Sequence, residues 1–325
     1  MTYAWRGLSL DIARSFFGAA VLTRVVDRLA GLGLNRLHLH LTDDQGWRLA
    51  IPGRPELTEL SGPTAVRGGQ GGYLTVAEWT NLVEHAAARG VTVVPEIDLP
   101  GHVGAALHAV PALNPDGRAR PPDDGSAVGL TQLDPDLPAT AEFLHDVLTA
   151  VAALTPGPWL HIGGDECPLL SEAAYAGLVR QAAAIVRAAG KIPVAWQEAA
   201  LAGPEADLTL QFWSAGEAGD PGIRRRLAAS AARLVATGAP VILSPAAHTY
   251  FDHKYSPRDS FGQDWAGTIS VEEAGGWVPE AAVPGLDPAR IVGLEAALWT
   301  ESIHDEATLD RMLWPRLEAF SRLAA

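Results

Sequence analysis

Eight short apolar runs recur along the 325 residues of this chain, most of them separated by stretches with helical periodicity. They are GLSLDIAR (7–14), LNRLHLHLTDD (34–44), VTVVPEIDLPGH (91–102), WLHIGGDE (159–166), IPVAWQE (192–198), LTLQFWS (208–214), PVILSP (240–245) and IVGLEAALWTE (291–301). Strand patterns alternating with helix patterns mark βα units, because neighbouring parallel strands need a long crossover between them. Eight such units predict a (β/α)8 TIM barrel, a fold that commonly takes about 250 residues. The expectation is one α/β barrel spanning 1–325.

The intervening segments support this. AAVLTRVVDRLAGLG (19–33) and TVAEWTNLVEHAAARG (75–90) repeat apolar residues at three- and four-residue spacing and end in Gly, which closes a helix in the left-handed conformation at little cost. Two intervals fit less well. Only a short helix is predicted near 199–206, and the interval before the eighth strand is rich in Pro and Gly. Residues 111–137 read as a long loop after the third strand, and loops of that length are commonly functional or disordered.

A net charge of −14 argues against nucleic acid or an anionic membrane surface as partner, since both select clustered Lys and Arg. The single cysteine, Cys167, excludes an intrachain disulfide framework and a Cys-rich metal centre, and reads as a small buried filler. The opening MTYAWRGLSLD lacks the basic start and apolar stretch of a secretory leader, so a cytoplasmic protein is expected.

In a barrel, chemistry sits at the C-terminal ends of the strands. Those ends carry Asp11 and Arg14; His40, Asp43 and Asp44; Glu96, Asp98 and His102; Asp165 and Glu166; Trp196 and Glu198; Trp213; His248, Tyr250 and Asp252; and Trp299 and Glu301. Carboxylates and an Arg beside several indoles suit a sugar, whose hydroxyls take charged partners and whose apolar ring faces stack on Trp. The adjacency of Asp165 and Glu166 is unusual. Most glycosidases place two carboxyl groups on opposite sides of the bond they cut, and neighbouring residues rarely do that.

The runs RGLSLDIARSFF, LGLNRLHLHLTDDQGWRL, VVPEIDLPGH, HIGGDE and LWTE, in that order, resemble the catalytic domain of glycoside hydrolase family twenty, the β-N-acetylhexosaminidases. The resemblance implies a retaining exo-β-N-acetylhexosaminidase in which the substrate's own 2-acetamido oxygen attacks, through an oxazolinium intermediate. It implies that Glu166 is the general acid and base, and that Asp165 orients the acetamido group. Asp43 and His102 resemble the pair that hydrogen-bonds Glu166 from behind. Tyr250 would bond the acetamido oxygen, with Trp196, Trp213 and Trp299 walling its pocket. Arg14, Asp252 and Glu301 would bind ring hydroxyls, and Trp265 would stack on the next sugar. No cofactor or metal is implied, and the partner is an oligosaccharide or glycoconjugate ending in N-acetylhexosamine. Members commonly carry a small α+β domain before the barrel, so the face it would cover is expected to be managed otherwise here, for instance in a homo-oligomer.

Two other readings compete. His38 and His40 share a face at period two and could serve a metal-dependent amidohydrolase-like barrel with Asp43, Asp98 or Asp165. A non-catalytic sugar-binding relative is the other, although every matched catalytic position holds the expected residue type.

Overall fold

The computed structural model describes residues 2–216 and 221–325. All eight predicted runs form strands: β1 (Trp5–Asp11), β2 (Arg36–His40), β3 (Thr92–Glu96), β4 (Trp159–His161), β5 (Ile192–Trp196), β6 (Thr209–Phe212), β7 (Val241–Leu243) and β8 (Ile291–Leu298). They pair in parallel in chain order, and β8 closes on β1. The fold is the expected (β/α)8 barrel.

Helices α1 (Ala19–Gly31), α2 (Glu56–Ser61), α3 (Val76–Ala87), α4 (Gly104–Ala109), α5 (Pro138–Leu154), α6 (Glu172–Ala188), α7 (Pro221–Thr237), α8 (Ala246–Thr249), α9 (Val271–Gly275) and α10 (Glu306–Ala324) fill the connections. Gly33 and Gly90, after α1 and α3, have φ of 72° and 73°, as their positions suggested. Thr75 and Glu78 form a reciprocal capping box that starts α3. Between β5 and β6 the chain forms only two 3-10 turns, 197–202 and 204–206, because Gly203 with φ of 81° and Pro204 interrupt the helix. The β7–β8 connection holds only α8, α9 and 3-10 turns within loop. Among the described residues no helix is long and apolar enough to cross a membrane.

The barrel interior is layered. At its floor Trp5, Val94, Val194 and Ile242 pack together, one from each odd-numbered strand, as side chains do in barrels. Above them the even strands contribute polar residues, His38, His161, Gln211 and Glu295, all buried. Trp5 Nε1–H donates to Glu295 Oε2 at 2.6 Å and Gln211 Nε2–H to Glu295 Oε1 at 2.9 Å, so the charge is partnered from below and from the side. Glu96 and Trp196, at the ends of β3 and β5, lie over this layer, with Trp196 Nε1–H donating to Glu96 Oε1 at 2.8 Å. A polar column thus runs up the barrel to the strand ends.

Candidate active site

A cavity of about 370 Å³ opens at the strand ends. Arg14, Asp43, His102, Asp165, Glu166, Trp213, Tyr250, Asp252, Trp265, Trp299 and Glu301 all line it, which brings together eleven of the twelve residues singled out from sequence. Ser126 and Val128 line it too, so the long 111–137 loop supplies part of the rim, as its length suggested. Ile223 and Leu227 of α7 were not expected, because a helix flank carries no local mark of facing a cavity.

Backbone geometry explains the two glycines before the acid pair. A Cβ on Gly163 would stand 1.6 Å from Asp98 Oδ1, and Gly163 and Gly164 have φ of 67° and 110°. Glu166 itself has φ of 49° and His102 has φ of 53°. Left-handed conformations cost a non-glycine residue roughly 1–2 kcal/mol and cluster where function demands them. The two turns touch, since a Cβ on Gly101 would lie 2.8 Å from the Cys167 sulfur. Cys167 therefore packs the turns together, and its thiol donates to the Asp165 carbonyl at 3.0 Å.

His102 is where the carboxylates meet. Its Nε2 lies 3.5 Å from Glu166 Oε2 and 3.6 Å from Asp165 Oδ2, and its Nδ1 lies 3.2 Å from Asp43 Oδ2. Asp43 thus stands one step behind Glu166 and reaches it through His102, whereas the sequence reading had put both on Glu166 directly. Burial opposes a charge on His102, but Asp43, Asp165 and Asp98 outweigh it and raise its pKa well above the ordinary value. Asp43 is held well below the usual carboxylate range, its own burial being outweighed by Arg14 and His102.

Asp98, noted at a strand end and given a role only in the metal-dependent alternative, lies in the site. It lines the cavity, and Gly164 N–H donates to its Oδ1 at 3.2 Å. Burial, with the neighbouring Asp165, pushes its pKa well up, against the opposing charge of His102. Its signal was its place in PEIDLPGH, four residues before His102.

Arg14 holds Asp43 Oδ2 with NH2 at 2.8 Å and passes over the Trp299 ring at 5.3 Å from its centroid. Its Nε and NH1 are buried without a hydrogen-bond partner in the protein, as are Asp165 Oδ1 and Asp98 Oδ2. Buried donors and acceptors left unsatisfied are costly, and a polar ligand in the cavity would satisfy them. Burial raises Asp252 and Glu301 each to about 7. Asp11, at the end of β1, accepts from Ala13 N–H at 2.7 Å and Thr300 N–H at 2.9 Å and lies 3.6 Å from Arg14 NH1.

Trp213, Trp299, Trp265 and Tyr250 form one aromatic wall, with Tyr250 centred 5.8 Å from Trp299 and 5.9 Å from Trp265. Trp196 departs from expectation. It does not line the cavity; its N–H is captured by Glu96, so the indole turns down into the barrel and backs Trp299 from 5.9 Å. Glu198, at the same strand end, accepts from Trp213 Nε1–H at 3.0 Å and holds that wall in place. Burial and Asp165 push Glu198 to about 8.

The histidines of LHLHL are held by carboxylates, His40 at the base of the cavity and His38 deeper in the barrel. His40 donates Nδ1–H to Glu96 and Nε2–H to Asp43, at 2.6 and 2.8 Å. His38 Nδ1–H donates to Glu295 at 2.9 Å, and its Nε2 faces Glu96 at 3.2 Å inside the barrel. Both rings are engaged by carboxylates, His38 grouped with Glu96 and His161, and His40 with Glu96 and Asp98.

A parallel barrel whose strand ends gather carboxylates, an Arg and indoles around a sugar-sized cavity is the architecture of a glycoside hydrolase. Residues 3–324 match the model of glycosyl hydrolase family 20, catalytic domain, and the chain belongs to that family. It is 46% identical over 322 residues to a beta-N-acetylhexosaminidase of Cellulomonas fimi, covering 99% of this chain and 63% of that one. A beta-hexosaminidase of Vibrio furnissii is 35% identical, over 98% of this chain and 56% of its own. The Streptomyces plicatus N-acetyl-beta-hexosaminidase, solved in complex with Thio-NAglucal, superposes with a TM-score of 0.93 at 42% identity, over 99% of this chain and 64% of that one. The chain thus spans less than two thirds of the length of these relatives.

One pH dependence follows from the geometry. Burial lifts Asp165 to about 6, with Glu166 and Glu96 adding to the rise and His102 opposing it. A carboxylate accepts an N–H more strongly than a protonated carboxyl group, so with Asp165 as the acceptor of a substrate N–H, kcat/KM on an activated aryl substrate should rise as pH increases through about 6. Asp165→Asn should flatten that acid limb; an unchanged limb in the variant would assign it to another group.

Proposed function

We propose that this chain is a retaining exo-β-N-acetylhexosaminidase, releasing terminal β-linked N-acetylglucosamine or N-acetylgalactosamine from oligosaccharides or glycoconjugates by substrate-assisted catalysis. The observation that carries the reading is that Asp165 and Glu166, adjacent in the chain, both line the cavity and lie 3.6 and 3.5 Å from one histidine, His102. Residues adjacent in the chain rarely place their carboxyl groups on opposite sides of a glycosidic bond, which supports a nucleophile supplied by the substrate. A mutant of the S. plicatus relative solved with its product GlcNAc, at 41% identity, supports the sugar.

In this mechanism Asp165 accepts the acetamido N–H and presents the acetamido carbonyl oxygen to the anomeric carbon. Tyr250 bonds that oxygen, while Trp213 and Trp299 enclose the methyl group. As the oxygen–carbon bond forms, the glycosidic bond breaks and Glu166 gives its proton to the departing oxygen. Asp165 stabilises the positive charge left on the oxazolinium ring. Glu166, now a carboxylate, takes a proton from water as the water opens the ring at the anomeric carbon, and two inversions give retention. The gain comes from proximity, since the nucleophile is already attached to the substrate. The unpartnered donors of Arg14, with Asp252 and Glu301, bind ring hydroxyls and require a nonreducing terminal sugar. Trp265, 43% exposed at the mouth, stacks on the sugar beyond the cut.

The test is a panel of aryl β-glycosides varied at C2 and C4. The 2-acetamido sugars of gluco or galacto configuration should be cleaved, while sugars with a plain C2 hydroxyl should turn over negligibly, even with a good leaving group. Efficient cleavage of the C2-hydroxyl series would overturn the proposal.

A further inference from the structure

The mechanism leaves the buried histidine column unused. From Glu166 it runs inward as an alternation of carboxylate and imidazole, hydrogen-bonded from His102 Nδ1 inward, while His102 Nε2, at its outer end, makes no hydrogen bond among the described residues. His102 Nε2 faces Glu166 at 3.5 Å, His102 Nδ1 faces Asp43 Oδ2 at 3.2 Å, His40 Nε2–H donates to Asp43 Oδ2 at 2.8 Å, and His40 Nδ1–H donates to Glu96 Oε2 at 2.6 Å. Glu96 is the fixed end. Its other oxygen accepts from Trp196 Nε1–H at 2.8 Å, with His161 Nδ1 at 2.9 Å, and His38 Nε2 lies 3.2 Å from Oε2. Glu96, His40 and His38 are at most 1% exposed, so water does not screen these contacts.

We propose that His40 and Glu96 are positioning residues for the acid–base step: anchored in the barrel core, they hold Asp43 against His102, and so His102 against Glu166. This rests on the reading of Glu166 as the acid and base. Two facts make the chain more than core packing. His102 has φ of 53° on a turn outside the sheet, so no strand pairing sets its ring, and Asp43 is likewise a loop residue. The rigid strand residue in the sequence of contacts is His40, the last of β2, paired with Glu96, the last of β3. A chain that ends on strands is the way a barrel can fix a side chain carried by a strained turn.

The charges agree with the geometry. Burial opposes a charge on His40, but Glu96 and Asp43 outweigh it and raise its pKa well above the ordinary value; Glu96 is held well below the carboxylate range by His40, His161 and His38 against its own burial. The other groups near His40 are Asp98, Arg14, which shares Asp43 Oδ2, and the Trp299 ring, edge-on at 5.2 Å.

A double-mutant cycle tests it. His40→Gln should lower kcat/KM for poor leaving groups by about 10-fold, part of the roughly 10²–10⁴ that a placed acid supplies. Activated aryl leaving groups should lose less, and KM for either class should change little. In a Glu166→Gln background the same substitution should cost almost nothing further, because the group it positions is gone. Glu96→Gln should behave alike. Equal losses in both backgrounds would overturn the chain and reduce these residues to core packing. Failure of Glu166→Gln itself to discriminate leaving groups would instead overturn the assignment of the acid.

Should either core variant fail to fold, the unmodified protein decides. At about pH 8, where an ordinary histidine is neutral, the ring-nitrogen resonances of His40 should report an imidazolium protonated on both nitrogens. Occupying the cavity with a thiazoline inhibitor should shift them. A neutral His40, or one blind to the inhibitor, would overturn the proposal.

Discussion

Glu166→Gln should slow hydrolysis of substrates with poor leaving groups by about 100-fold or more, the usual worth of a placed general acid. The amide preserves the shape of the turn and the contact with His102, so the loss is chemical. Activated aryl leaving groups depart without a proton, and their glycosylation step should suffer much less. Their second step still needs Glu166 as a base, so the intermediate should accumulate and kcat should fall further than kcat/KM. The measurement is kcat/KM across aryl leaving groups of graded acidity. Equal loss at both ends of that series would remove Glu166 from the acid role.

Asp165→Ala should be of similar size, about 100-fold or more in kcat, in line with removing a preorganised electrostatic partner from a developing charge. It differs from the first in pattern. No leaving group should rescue it, since what is lost is the aim of the nucleophile and the stabilisation of the oxazolinium. A cyclic thiazoline analogue resembles that charged, bent intermediate and should bind the unmodified protein far more tightly than substrate does. The alanine variant should lose this tight binding together with its turnover. A covalent glycosyl ester on Asp165, trapped with a fluorinated sugar and located by mass spectrometry, would mean that the protein attacks the sugar itself.

Much of this site was legible because the chemistry is written at strand ends. An apolar run such as VTVVPE fixes where β3 stops, and the residues after it, Asp98 and His102, must then face the cavity mouth. The residues mislaid by sequence are those whose orientation is set from far away. Trp196 ends β5 in a position like that of Trp213 after β6, yet Glu96, a hundred residues earlier, captures its N–H and rotates it inward. The pKa of Asp98 is pushed up by burial and then by the nearness of Asp165, an environment made by the folding of two separate turns. The missing helix between β5 and β6 had a local signal, Gly203 followed by Pro204, which anticipated a short element there but not its conversion to 3-10 turns. The step from Asp43 to Glu166 by way of His102 was hidden because motif similarity names the members of a group and not the order in which they touch.

The left-handed backbone at both Glu166 and His102 sets the terms on which this sequence can drift. Either position would be more comfortable as glycine, which adopts that conformation freely, and proteins gather stabilising replacements wherever function permits. Selection for stability alone would favour glycine at both turns, so a side chain at Glu166 and at His102 is kept at a cost in stability.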